Sequence, residues 1–141
     1  MGCDIHLHIE IKIDGVWHHY AHPSVRRDYQ LFAKMGGVRN YDNEIEPIGE
    51  LRGLPTDVSL ITKRDYERWS VNGHSHGWLS SAELVVLEDW NHARDSRMEN
   101  DLEYSILSCY LFGNSFAGFH KYPKERITWL EDVRFVFWFD N

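Results

Sequence analysis

Residues 2–15 read GCDIHLHIEIKIDG, and the reading of this stretch decides the fold. Cys3, Ile5, Leu7, Ile9, Ile11 and Ile13 occupy odd positions, and Asp4, His6, His8, Glu10 and Lys12 the even ones. That is the period-two pattern of a strand with one apolar face. Asp14-Gly15 is a hairpin turn signal, so Val16–Ala21 reads as the returning strand, ended by Pro23.

Working outward, residues 28–35 carry Tyr29 with Phe32 and Leu31 with Met35 at helical spacings, closed by Gly36-Gly37. Residues 38–56 are rich in Gly, Pro, Asn and acidic side chains, and are too long for a plain connector. Ser59 caps an expected helix running to Trp69, with Leu60, Tyr66 and Trp69 among its apolar positions. Asn72-Gly73 then breaks the chain, and HSHGWL at 74–79 reads as a loop. Ser80 with Glu83 makes a capping box for a helix of about ten residues ending near Trp90. A further helix is expected from Asp101 to Leu111, stopped by Gly113. The tail VRFVFWFDN, 133–141, alternates again, with Phe135, Phe137 and Phe139 opposite Arg134, Val136, Trp138 and Asp140. A hairpin first, helices between and a strand last predict one α+β domain over residues 1–141. Its mainly antiparallel sheet would place the terminal strand beside the first.

Composition narrows the function. An apolar fraction of 43% and an aromatic fraction of 14% fit a folded globule. A net charge of -7 argues against long nucleic acid as the partner, because duplex binders carry a basic face. No apolar run approaches the roughly 18–20 residues of a membrane span, and residues 1–5 lack a signal-peptide layout. Cys3 and Cys109 have no CxxC spacing and read as reduced thiols, so the expected compartment is cytoplasmic.

The histidines carry the chemistry. On a strand, side chains two apart share a face about 7 Å apart, so His6 and His8 can converge on one ion or substrate. Asp4 could be a further ligand, or could accept the His6 ring proton and fix its tautomer. The competing reading is a solvated sheet face. A second HxH, His74 and His76 around Ser75, precedes the capped helix, and the two pairs suggest one shared site. Its competing reading is a polar turn. His6, His74 and Asp4 are thus the candidate catalytic residues. His6, His8, His74 and Asp4 are candidate ligands for a divalent zinc, manganese or magnesium ion. His18, His19 and His22 are set aside, since successive strand residues face opposite ways, and lone His92 and His120 likewise. Arg39 and Arg52 can grip phosphate, Arg52 being preferred because RGLP leads into the Ser59 helix. Trp138 and Phe119 could stack a base, although aromatic strand residues are more often core.

Together GCDIH, RDYQLFAKMGGVRN, RGLPTDVS, NGHSHGWL and FWFDN resemble a family of small, mostly uncharacterised proteins encoded in bacteriophage genomes. The resemblance spans almost the whole chain. Asp4, His6, Arg39, Arg52, Gly53, Asp57, His74, Ser75 and Trp78 match its motifs, while Asn72 and Gly77 depart from them. It implies a phage accessory protein in the host bacterial cytoplasm, a setting in which anti-defence proteins inactivate nucleotide immune signals. Three functions are therefore expected. The first is a hydrolase, a phosphodiesterase acting on a small anionic nucleotide-type ligand. The second is a non-catalytic binder that sequesters such a ligand. The third is a direct protein inhibitor of a host factor. A homo-oligomer is compatible with each.

Overall fold

The opening alternation forms strand β1 (Asp4–Ile13), and β2 (Val16–Ala21) returns antiparallel to it. Asp14 and Gly15 between them have φ of 51° and 74°, the paired left-handed turn whose twist matches a hairpin. The computed structural model describes residues 2–94 and 131–141. The expected helix beginning at Asp101 lies outside those residues.

The chain continues through α1 (Tyr29–Gly36), α2 (Leu60–Trp69), β3 (Gly73–Leu79), α3 (Ser81–Arg94) and β4 (Asp132–Asp140). The sheet runs β2-β1-β4-β3, every pair antiparallel. β4 lies beside β1 along its length, from Asp4 opposite Asp140 to Lys12 opposite Asp132. This is the expected α+β architecture. Residues 38–56 hold a short 3-10 turn, Tyr41–Asn43, and no longer helix or strand. Among the described residues no helix is long and apolar enough to cross a membrane.

Alternation decides what each face packs against. Ile5, Leu7, Ile9, Phe135, Phe137 and Phe139 form one face, and Leu31, Phe32 and Met35 of α1 with Leu84 and Leu87 of α3 close the core over it. Gly36 lets α1 approach closely, since a Cβ there would sit 2.9 Å from the Phe139 ring. The capping box holds α3 as expected, with Ser80 N donating to Glu83 Oε1 (2.9 Å) and Glu83 N to Ser80 Oγ (3.3 Å). The helix runs on to Arg94, one turn past the expected end.

Asp28 caps α1 by accepting from Leu31 N (3.1 Å), and Arg94 of α3 grips the same carboxylate. Burial alone would raise the Asp28 pKa, but the Arg94 guanidinium and the Leu31 amide outweigh it and hold the carboxyl below the usual range. A depressed folded pKa stabilises above the ordinary carboxylate value of about 4, and that contribution is lost as pH falls through the folded value. Asp28→Ala should therefore cost about 0.5–2 kcal/mol at pH 7. Denaturation at pH 7 and pH 3 should show the gap to wild type narrowing in acid. A gap independent of pH would mean that the cap contributes nothing through its charge.

Candidate histidine and carboxylate site

The central even-numbered side chains of β1 do not face solvent. His8 is 1% exposed and Glu10 0%, because α2 and the segment before it cover this second face. Glu10 sits between Arg134 of β4 (Nη2 to Oε1, 2.7 Å) and the start of α2, where Ser59 N (2.9 Å), Ser59 Oγ and Thr62 Oγ1 (2.8 Å) donate to Oε2. Arg134 also reaches Asp57 (2.8 Å), which is held below the carboxylate range by that hydrogen bond. The solvated-face reading is thus replaced by a second, polar core. It also explains α2, whose expected apolar Leu60 is 65% exposed while Thr62 is its buried residue. Thr62, Asp65, Tyr66 and Trp69, at helical spacing, are the residues that meet the sheet's side chains.

His8 lies at the centre of a chain of contacts. Its Nε2 is 2.7 Å from Asp65 Oδ2, and its Nδ1 is 2.9 Å from His19 Nε2. A carboxylate accepts, so His8 donates from Nε2 and accepts at Nδ1 from the His19 ring. Burial lowers the His8 pKa to about 4, with His22 nearby adding to the effect and the Asp65 hydrogen bond opposing it, so His8 is neutral at pH 7. His22 stacks on His8, ring centroids 4.0 Å apart and planes 2° from parallel. Its Nδ1 donates to the Leu7 carbonyl (2.7 Å), which leaves the lone pair of the neutral ring on Nε2, 3.8 Å from the same Asp65 oxygen. Among the described residues, His8, His22 and Asp65 form the group able to hold a metal ion, their ligand atoms lying within 4.8 Å of one another.

A second constellation occupies the sheet end where β1 and β3 begin and β4 finishes, since Asp140 pairs with both Asp4 and Gly73. His6 Nε2 meets Asp140 Oδ2 at 2.8 Å, the two side chains 16% and 21% exposed. The His6 ring lies 4.0 Å from the Trp69 ring and stacks at 6.2 Å on Trp138. Asp4 is not the partner of His6. Arg27 takes it through two hydrogen bonds, of 2.7 and 3.0 Å, which lower the Asp4 pKa. Arg39 lies beside Cys3, over the Tyr29 ring at 5.5 Å, and donates to Tyr41 Oη at 3.3 Å. Tyr29, Arg39 and Tyr41 line a surface cleft of about 140 Å³ with Asn40, Glu44 and Ile45. Burial raises the pKa of the Cys3 thiol.

His74 and His76 behave differently from the expected pair. HSHGWL is strand, not loop, and a bulge interrupts it between His74 and Gly77, with Ser75 at φ 55°. One extra residue reverses the alternation. His74 therefore falls opposite Phe139, on the apolar side, bonding Ser75 Oγ (3.0 Å) and Asn141 Oδ1 (2.8 Å). His76 falls on the α2 side against Tyr66 and Trp138, its pKa lowered by burial. So His6 and His74 reach the same end of the sheet on opposite faces, their strands two spacings, about 10 Å, apart. Trp138 is fully buried and offers no open ring to a ligand. Its Nε1 and His76 Nε2 are buried without a hydrogen-bond partner among the described residues. Arg52 is engaged by Glu83 (2.6 Å), the Trp78 carbonyl and the Trp78 ring (3.8 Å to the centroid). His120 and Phe119 lie outside the described residues.

Sequence reasoning missed His19, His22, Asp65 and Asp140 as partners of the β1 histidines. The hairpin register places His19 opposite Glu10, and the paired terminal strands place Asp140 opposite Asp4, so both were within reach of the alternation. Asp65 and His22 depend on how α2 and the segment after β2 dock, and no local pattern encodes that. No family model matches the chain, and no curated protein or solved structure matches it. Fold and site define an antiparallel α+β protein with a histidine and carboxylate layer beneath one helix.

Proposed function

We propose that this protein is a hydrolase that cleaves a phosphodiester in a small nucleotide-type ligand at the sheet end carrying His6 and Asp140. In the bacteriophage setting that the sequence resemblance implies, the ligand is a nucleotide immune signal of the host. The observation that carries the reading is the partly exposed His6–Asp140 pair at 2.8 Å. With Nε2–H given to the carboxylate, the neutral ring keeps its lone pair on Nδ1 as a base, and Asp140 stabilises the imidazolium formed when that base accepts a proton. Water loses its proton to His6 as its oxygen attacks phosphorus, the phosphorus–oxygen ester bond breaks, and the proton passes to the departing oxygen. Arg27, held at the same end and face by Asp4, supplies positive charge for the phosphate.

Sequestration is the second reading, favoured by the cleft where Tyr29, Arg39 and Tyr41 offer aromatic and cationic contacts without a catalytic pair. One experiment separates the two. The full chain is incubated with a panel of cyclic and linear nucleotides, and the supernatant is chromatographed before and after heat denaturation. New products support hydrolysis. Unchanged nucleotide that appears only after heating supports sequestration, and a panel neither consumed nor retained would defeat both.

A further inference from the structure

Beyond that reading, and at a different set of residues, we propose that His8 Nε2, His22 Nε2 and Asp65 Oδ2 form a binding site for one divalent cation of the zinc class. The first reason is which ring atom is left to bind. The Leu7 carbonyl accepts the His22 Nδ1 proton at 2.7 Å, so Nε2 is the available ligand atom, and it faces the Asp65 carboxylate oxygen at 3.8 Å, beyond hydrogen-bond reach. A cation between that nitrogen and that oxygen would bridge both beside the buried His8 ring.

The second reason is the shape of the site. Ligands at about 2.0–2.2 Å around a tetrahedral ion are about 3.3–3.5 Å from one another. The two contacts to Asp65 Oδ2, 2.7 and 3.8 Å, bracket that separation. His8 and His22 stack with planes 2° apart and each brings its Nε2 to the one oxygen, so a tilt of the half-exposed His22 ring is what turns both in-plane lone pairs onto a single ion.

The third reason is the set of outer contacts. Metal-bound imidazoles usually give their other ring N–H to a carbonyl, a carboxylate or a second polar group, which fixes the tautomer. His22 does so through Leu7, and His8 meets His19 at 2.9 Å. Arg68, 3.8 Å from Asp65 Oδ1, leaves Oδ2 for the histidines. When the ion enters, the His8 proton moves from Nε2 to Nδ1 and is donated to His19, whose own proton moves to Nδ1. Each ring keeps one proton, so this rearrangement releases none.

Two imidazoles and one carboxylate, with no thiolate, match catalytic rather than structural zinc sites and leave a fourth position for water or substrate. The His22 side chain, 45% exposed beside 2% for His8, provides the approach from solvent. This ligand set shares only His8 with the set expected from the sequence.

The test uses the full chain without a histidine tag, stripped with chelator and titrated with Zn²⁺ against a chromogenic competitor, and with Co²⁺ by visible absorption. One equivalent with a tetrahedral Co²⁺ spectrum is expected. His22→Ala, which removes a half-exposed side chain and should fold, is expected to weaken Zn²⁺ binding about 100-fold or more, and Asp65→Asn similarly. His19→Ala should weaken it about tenfold, as outer partners do. His18→Ala, an exposed histidine paired with Ile11, should bind as wild type does. Circular dichroism confirms folding of each variant. No saturable binding by the wild type, or equal affinity in wild type and His22→Ala, overturns the proposal. So does a His22 Nε2 that remains protonated by ¹⁵N NMR at pH 8 with Zn²⁺ present, which would make the cluster a plain imidazolium–carboxylate pair. Because the readout is binding, loss of turnover in a His6 variant leaves this result unaffected.

Discussion

Glu10→Ala should lower the unfolding free energy by about 3–5 kcal/mol, as removal of one partner of a buried ion pair does. The wild-type carboxylate is fully buried and satisfied on both oxygens, by Arg134 on one side and by Ser59 and Thr62 on the other. Truncation leaves the Arg134 guanidinium, itself 4% exposed, with the surface carboxylate of Asp57 as its remaining anion. It also frees the Ser59 N–H and two hydroxyls in a covered space, each a further cost. Glu10→Gln keeps the shape and some hydrogen bonds, so its loss should be smaller. Glu10→Met with Arg134→Met removes both charges and should cost less than the two single changes added. Urea denaturation of wild type, Glu10→Ala, Glu10→Gln, Glu10→Met, Arg134→Met and the double Met variant measures these differences. A Glu10→Ala loss under about 1 kcal/mol would mean that water reaches this face and that α2 does not seal it.

His6→Ala should reduce turnover by about 10²–10⁴-fold in the hydrolase proposed above, the usual contribution of a positioned acid or base. Asp140→Asn should lower the rate too, because the amide can accept the Nε2 proton but stabilises the imidazolium less. Members of one catalytic unit are far from additive, so the double variant should be little worse than His6→Ala alone. Substrate affinity separates this from a merely structural role: KM should move less than kcat if His6 acts on the proton and Arg27 holds the phosphate. Equal losses in affinity with no rate effect would transfer His6 to the sequestration reading. His74→Ala should affect the rate much less, since the bulge at Ser75 turns His74 to the opposite face.

The extent to which the chain announced this arrangement differs from element to element. Strand β1, its turn and β2 were legible because alternation and a left-handed Asp-Gly turn are local properties. The stop at Gly36-Gly37 and the Ser80–Glu83 box were legible for the same reason. The pairing of β4 with β1 followed from two alternating strands needing a common core. Of the site, the placement of His6 and His8 on one face was legible. Their partners were not, because Asp65 arrives 57 residues after His8 and Asp140 134 residues after His6.

HSHGWL shows how local reasoning can mislead. Its HxH spacing implies one face only if the strand is regular, and one left-handed residue inside it sends His74 and His76 apart. Similarly, an amphipathic strand with histidines on its polar side is the same string whether that side meets water or a helix. The sequence by itself therefore determined where strands, turns and caps fall and which side chains share a face of β1, since φ/ψ preference and side-chain period act over a few residues. Only the tertiary structure decided that the polar face is buried under α2, that Asp140 rather than Asp4 meets His6, and that His22 and Asp65 close on His8. Those outcomes depend on the docking of segments far apart in the chain, where burying a charge is tolerated only if its counter-charge arrives with it.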